Sequence, residues 1–304
     1  MNGFCSRDTI LRNLTYTDAI CGRMKYGVVV HGGSGSPSEL SDGPERAAAA
    51  GSALLQRGSS AVECVTECVS IMEDDSRFNA GTGSVLRFDG IAYMDAAVMS
   101  SSGECGAVAH ITSIRNPVRL AREVMKTPHV LLVCDGAIEL ARSLGFQEYD
   151  VSTDRGRERL KREIDDFSKG KRPEWPKNWK TYSVDTVGSV AMDALGNFAA
   201  ANSTGGTFPA LKGRVGDVPM IGCGIYAGRK GAVAATGIGE EIIRKVLSKT
   251  VYDMMEHGMH PQEAVEAGIS LYDRSVSVGL IAISREGIGV ASTRQMAHGK
   301  IIAD

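Results

Sequence analysis

The chain has 304 residues and a formal net charge of −2, so it has room for one large domain or two ordinary ones and no overall field that favours nucleic acid or an anionic membrane. Apolar residues make up 43% and charged residues 23%, ordinary for a soluble globular protein, and no run approaches the roughly 18 apolar residues of a membrane span. The 36 glycines, few aromatics and abundant Ala, Val and Ser predict tightly packed strands and backbone-lined loops rather than a bulky aromatic core.

Seven cysteines are odd in number and scattered. With no secretory apolar segment they read as reduced thiols of a cytoplasmic protein. Cys64 and Cys68 lie four apart on an expected helix and read as small buried side chains. The six histidines are too dispersed to complete a metal site with them.

Residues 1–24 differ in character from the rest of the chain. They are expected to form a weakly docked extension, and Met24, directly before the first good strand, is the other candidate start. A buried strand over Tyr26–His31 runs into the glycine loop Gly32-Gly33-Ser34-Gly35. A helix is expected from Asp42 to about Arg57, with Pro44 in its first turn and Gly58 as its stop. A second runs from about Ser60 to Glu73, with apolar residues at helical spacing. After the polar loop 74–84, segments 85–88 and 91–97 flank Asp89-Gly90 as a hairpin. Then come a strand at 106–111, a helix from Asn116-Pro117 to about Lys126, a strand at 129–133 and a helix at 136–144.

Residues 150–183 are dense in charge and hold both tryptophans, Trp175 and Trp179. The part to about Lys169 is expected to be helical, and the rest an exposed linker with a solvated charged face. From Thr186 a strand, a turn at 194–197 and a strand at 198–204 form a hairpin. A strand at 231–236, helices at 238–249 and 261–271, and strands at 278–283 and 287–293 complete the chain. Consecutive strand pairs with grouped helices favour a layered α+β sandwich over a doubly wound parallel sheet.

The stretch Asp185-Thr186-Val187-Gly188, where the charged linker meets a small-residue strand, carries the chemistry. A threonine hydroxyl needs an adjacent base to become a nucleophile. Cutting the Asp185–Thr186 bond would free an α-amine with a reference pKa of about 7.7–8.0, within reach of the hydroxyl of the same residue. If the hairpin pairs Asp193 with Phe198, Thr186 faces Gly205 and Thr204 lies diagonally across. Gly237, at a strand-to-helix turn beside Thr236, offers backbone donors for an oxyanion hole. Arg214 and Asp217, three apart in a glycine-containing loop, can grip the carboxylate and ammonium of an amino acid. The plain readings are a strand-end threonine for Thr204 and surface charges for Arg214 and Asp217. Phosphate binding at Gly237-Ile238-Gly239-Glu240 is disfavoured because the motif has glutamates and no P-loop lysine.

These motifs together resemble the plant-type L-asparaginase and isoaspartyl peptidase family of N-terminal-nucleophile hydrolases. The elements are His31-Gly32-Gly33, Glu73-Asp74-Asp75 through Phe78-Asn79-Ala80-Gly81-Thr82-Gly83, Asn116-Pro117, Thr186-Val187-Gly188, Ser203-Thr204-Gly205-Gly206, Gly213-Arg214-Val215-Gly216-Asp217 and Thr236-Gly237. Each is weak alone, but in this order and spacing they are specific.

The resemblance implies a four-layer αββα sandwich formed as a single domain over 25–304. It implies self-cleavage into an α chain 1–185, ending in the linker, and a β chain 186–304. Thr186 would be the nucleophile, Thr204 its support, and Thr236 and Gly237 the oxyanion hole. Arg214 and Asp217 would read the substrate, and Asn79 would lie beside the nucleophile. The implied substrates are L-asparagine and β-aspartyl dipeptides, with no cofactor required. The 73–78 loop matches a stretch that binds a structural sodium ion in some members. The implied assembly is a homodimer of cleaved protomers.

Two departures stand out. Asp185 replaces the glycine common before the threonine, which motivates a glycosylasparaginase alternative, although Gly205-Gly206 follows the asparaginase pattern. Residues 207–212 also depart from that pattern. From other classes, the alternatives are a non-catalytic nucleotide-binding module built on the glycine loops and an uncleaved structural dimer.

Overall fold

The computed structural model describes residues 25–168 and 186–303. The expected N-terminal extension and the later part of the linker, including Trp175, Trp179 and Asp185, lie outside the described residues.

Eleven strands among the described residues form two sheets. The larger contains β1 (Tyr26–His31), β2 (Met94–Ser100), β3 (Cys105–Ile111), β4 (Leu131–Val133), β5 (Val187–Met192), β6 (Phe198–Thr204) and β11 (His298–Ala303), in the order β11-β1-β5-β6-β2-β3-β4. The smaller contains β7 (Ile225–Gly228), β8 (Gly231–Gly237), β9 (Val278–Ser284) and β10 (Gly287–Ser292), in the order β10-β9-β8-β7. The helices are α1 (Asp42–Gln56), α2 (Ala61–Glu73), α3 (Pro117–Val124), α4 (Cys134–Ser143), α5 (Asp154–Ser168), α6 (Gly239–Lys245), α7 (Leu247–Glu256) and α8 (Pro261–Ser270).

Strand side chains alternate between two faces, and both faces of the central strands are buried. Val28, Val30, Val187, Ala199 and Ala201 pack against Ala47, Leu55, Val65 and Val69 of α1 and α2. Their neighbours Val29, Val190, Phe198 and Ala200 face Ile225, Ala232, Ala234, Ile281 and Ile283 of the smaller sheet. The outer face of that sheet, with Val233, Leu280 and Ala282, packs on Leu247, Val251, Ala264 and Val265 of α7 and α8. The protein thus combines helices and largely antiparallel sheets around three apolar clusters, an α+β fold. The small residues of β5 and β6 suit strands with packed neighbours on both faces.

Helix α2 starts with a capping box: Ser60 Oγ accepts from Glu63 N–H (3.2 Å) and the Glu63 carboxylate accepts from Ser60 N–H (3.0 Å). Several sequence expectations are corrected. Residues 85–88 form no strand, only a bridge between Leu86 and Ala92, and β2 begins later, at Met94. The expected helix 238–249 is two helices, because Val246 takes a left-handed conformation (φ 46°). The first turn of α7 then bonds to the loop before β7, with Lys249 N–H on Gly222 O (2.8 Å) and Ser248 Oγ–H on Cys223 O (2.7 Å). Strands β7 and β11 were not anticipated.

The β5–β6 hairpin register also differs from expectation by one residue. Asp193 pairs with Asn197 (N–H to O, 2.9 Å) rather than with Phe198. Its buried carboxylate accepts N–H groups from Leu195 (3.0 Å) and Asn197 (2.9 Å), closing a three-residue loop instead of four. Val187 therefore pairs with Ser203, and one step further Thr186 lies opposite Thr204 itself.

Beside that pair, Gly188 has no room for a side chain. A Cβ there would overlap Asn202 Oδ1 and His31 Nε2. Gly188→Ala is expected to cost about 1–3 kcal/mol, lowering the calorimetric melting temperature by several degrees. Gly136→Ala in α4, where a Cβ meets nothing within 4 Å, is the control and is expected to be neutral or stabilising. Equal melting temperatures for the two variants would contradict the packing described.

Candidate active site

Three threonines converge because of strand parity. Thr186 shares the parity of Val190 in β5, Thr204 that of Ala200 in β6, and Thr236 that of Ala234 in β8, and those neighbours fill the space between the sheets. All three threonines thus face that space at one end of the sandwich. All are buried: Thr186 is 5% exposed, Thr204 4% and Thr236 0%. Thr186, Thr204, Gly206, Thr207, Arg214, Gly216, Asp217 and Gly237–Glu240 line one narrow cleft.

Thr204 Oγ1 accepts the Gly206 N–H (3.0 Å), which leaves the Thr204 hydroxyl hydrogen free to point towards Thr186. The Asn79 amide clamps the next two residues. Its Nδ2 donates to Gly206 O (2.8 Å), its Oδ1 accepts from Val85 N–H (2.8 Å), and its carbonyl accepts from Gly205 N–H (2.9 Å). Asn79 therefore braces the Gly205-Gly206 turn, with its side-chain donor and acceptor both engaged by backbone.

Thr236 sits behind the cleft wall, where its Oγ1 accepts from Ser34 N–H (3.3 Å) and its own hydrogen remains to be donated. Gly237 adopts φ 135°, and a Cβ there would strike Ser277 O, so only glycine fits this turn. The turn is less open than its sequence suggests, since Ile238 N–H donates to Ser277 O (2.9 Å).

Asp217 is 4% exposed and its Oδ2 has no hydrogen-bond partner. Burial pushes its carboxyl up to about 7 against the opposing pull of backbone N–H and Arg214, and the carboxylates of Asp95 and Glu240 add to the rise. Arg214 is held by Glu240 in a two-pronged pair, Nε to Oε1 and Nη2 to Oε2, both 2.9 Å. Burial raises Glu240, but the Arg214 hydrogen bonds and charge outweigh it and hold the carboxyl below its ordinary value. The pair leaves the Nη1 hydrogens and one Nη2 hydrogen of Arg214 available as a second fork.

Three further groups shape the site; the sequence reading passed over Asp95 and Arg87 and gave His31 a place in a motif but no role. Asp95, in β2 next to Thr204 in β6, is pushed up to about 6 by burial, against backbone N–H groups of His110 and Gly216 and the charges of Arg214 and Arg87. Arg87 is 7% exposed, donates to Thr207 O, and is lowered to about 10 by burial and then by Arg214. His31, pushed down to about 4 by burial, is a neutral ring between Asn202 and the Thr186 backbone. Asn202 Nδ2 ties the two sheets together through Gly224 O (3.0 Å) and Ala235 O (2.8 Å). The signal for Asp95 was a lone carboxylate in an apolar strand. The Arg214–Glu240 pairing across 26 residues left none.

The described residues thus place Thr186, Thr204, Arg214, Asp217 and Gly237 along one cleft, with Asn79 and Thr236 immediately behind its walls. A family model described as "Asparaginase" matches residues 24–302. The chain is 42% identical over 285 residues to the isoaspartyl peptidase/L-asparaginase of Danio rerio, covering 89% of this chain and 90% of that protein. It is 40% identical over 291 residues to the plant-type L-asparaginase of Pyrococcus abyssi (89% and 94%) and 39% identical over 279 residues to the human isoaspartyl peptidase/L-asparaginase (87% and 88%). Matched by the family model over nearly its whole length and by relatives of this similarity, the chain belongs to the asparaginase family and is a hydrolase.

Proposed function

We propose that this protein is an N-terminal threonine amidohydrolase that converts L-asparagine to L-aspartate and ammonia and cleaves β-aspartyl dipeptides. The observation that carries the reading is the cleft itself: the Thr186 hydroxyl shares it with the Arg214 guanidinium fork and the buried, unpartnered Asp217 carboxylate. The three burial clusters support the αββα layering expected of such an enzyme. The relatives' names support asparagine and isoaspartyl substrates over the glycosylasparaginase alternative. Glu240 and Glu241 in the first turn of α6 weigh against a nucleotide phosphate there.

Maturation begins with attack of Thr186 Oγ on the Asp185 carbonyl carbon. The C–N bond breaks and the nitrogen becomes the Thr186 amine. Water then hydrolyses the resulting ester, restoring the hydroxyl and leaving Asp185 as a carboxyl terminus. In turnover the amine takes the hydroxyl proton as Oγ attacks the substrate's side-chain amide carbon. The Thr236 hydroxyl and Gly237 N–H stabilise the oxyanion. The proton passes to the departing ammonia or amino acid, and water releases aspartate from the β-aspartyl ester. The free fork of Arg214 takes the substrate carboxylate and Asp217 takes its ammonium.

The resemblance supports a structural sodium ion at the 73–78 loop, where backbone carbonyls would suit a hard cation and the ion would brace the loop that leads into Asn79. The resemblance supports a homodimer of cleaved protomers. Free thiols at all five described cysteines support a cytoplasmic setting, and no described helix is long and apolar enough to cross a membrane.

The direct test compares asparagine, β-aspartyl-leucine and a glycosylated asparagine as substrates. A preference for the glycosylated compound would overturn the assignment. The reading also fixes a pH dependence. Asp217 must be ionised to bind an ammonium and the Thr186 amine must be neutral to act as base. As pH falls, the amine, with its reference pKa of about 7.7–8.0, is protonated first; below about 7 kcat/KM is expected to lose roughly a further tenfold per unit from Asp217, making the fall steeper. A profile that stays flat between about pH 6 and 8 would contradict this.

A further inference from the structure

Arg214 and Asp217 lie on a loop, residues 211–220, with no regular secondary structure, yet they must be placed accurately to grip an amino acid. Two bonds from the larger sheet fix that loop on either side of Arg214. Gly213 N–H donates to His110 Nε2 (3.1 Å), and Gly216 N–H reaches Asp95 Oδ2 (3.4 Å). The two acceptors are themselves joined, because His110 N–H donates to Asp95 Oδ1 (2.8 Å).

The placement of His110 has an identifiable cause. The β2–β3 register shifts, with Met94 opposite Ile111 but Ala96 opposite Val108, so Ala109 and His110 together face Asp95. This is a bulge, which re-aims a side chain. His110 adopts φ 53°, a conformation uncommon outside glycine that histidine, like asparagine and aspartate, enters more readily than most residues. Such strain persists only where surrounding contacts impose it. The ring is stacked on Tyr93 (centroids 4.1 Å apart, planes 21°), whose hydroxyl donates to Asp89 Oδ2 (2.8 Å). Because Nε2 accepts, the neutral ring carries its proton on Nδ1, which faces Cys134 Sγ at 3.8 Å.

We propose that His110 is a positioning residue for substrate binding: its Nε2, acting with Asp95, pins the loop that presents Arg214 and Asp217 to the substrate's carboxylate and ammonium. This rests on the proposed reading of Arg214 and Asp217 as substrate-binding groups. It predicts an effect on binding and none on the Thr186 chemistry, because self-cleavage uses neither Arg214 nor Asp217.

The test measures L-asparagine kinetics and the extent of self-cleavage for the full chain carrying H110A, H110N, H110Q or R214A. Asparagine tolerates the positive φ but ends at the level of Nδ1, whereas glutamine carries an oxygen to the level of Nε2. H110A and H110N are expected to raise KM about tenfold or more, with kcat within about threefold and cleavage as complete as in the parent. H110Q is expected to return KM to within about threefold. If H110A does not fold, the contrast between H110N and H110Q decides. Unchanged KM in H110N while R214A raises it, or H110Q no better than H110N, would overturn the role of His110 alone. Unchanged KM in R214A would instead remove the substrate reading, and this proposal with it.

Discussion

Thr186→Ala is expected to lower amide hydrolysis by roughly 10⁴-fold or more and to leave the chain uncut. Both effects come from one oxygen. In the proposed mechanism the hydroxyl is the attacking group in maturation and in turnover, and no other cleft hydroxyl among the described residues would gain an α-amine beside it. Thr204 and Thr207 also line the cleft but lie inside the chain, where their nitrogens are amides without basicity. Thr186→Ser keeps both reacting groups and loses only a methyl that restricts side-chain rotation, so it is expected to cut itself and to retain activity within about 10²-fold. Fold damage is not expected to confuse the comparison, since alanine removes little volume from a strand-end position. Steady-state hydrolysis of asparagine by the three proteins checks this, and Thr186→Ala retaining more than about a hundredth of parent activity would contradict it.

The second large effect is expected at Asp217. Its Oδ2 is buried without a partner in the free protein, an arrangement that costs stability and points to a ligand able to supply a positive donor. Asp217→Asn preserves the shape and removes the charge. It is expected to reduce kcat/KM by about 10²- to 10³-fold, the range for removing one member of a buried charged pair, mostly through KM. The same substitution should raise stability at alkaline pH. A carboxyl whose folded pKa, about 7, lies above its unfolded value of 3.8 contributes stability that is complete below the unfolded value and is lost as pH rises through 7. The amide has nothing to ionise, so the variant should be spared that loss. An unchanged kcat/KM in Asp217→Asn would show that the ammonium binds elsewhere. Arg214→Ala is a harsher change, because it also strands the carboxylate of Glu240.

How much of the molecule was legible in its sequence depends on how local each signal is. The β5–β6 hairpin could be read because its strands are runs of small apolar residues around one turn. Its register was off by one because the deciding group, the Asp193 carboxylate, acts through side-chain bonds that spacing does not reveal. Helices α1, α2, α3 and α8 carried caps, prolines or clear periodicity. The break at Val246 carried none, since bonds to Gly222 and Cys223 produce it. Strand β7 is four residues bounded by glycines. Strand β11 is a half-exposed edge whose only strand pairing among the described residues is with β1, about 270 positions earlier in the sequence. At the site, Thr186, Arg214 and Asp217 stood out by residue type and motif order. Asp95, Arg87, Glu240 and His110 act through contacts between distant segments, and no sequence spacing encodes those.

The most direct test of the central claim, that Thr186 is an N-terminal nucleophile made by self-cleavage, is intact mass under denaturing conditions. The purified parent and Thr186→Ala would be compared after a day at neutral pH. The account predicts two fragments meeting at Asp185/Thr186 in the parent and one uncut chain in the variant. A single intact chain in both, across several pH values, would contradict the mechanism while leaving the fold untouched.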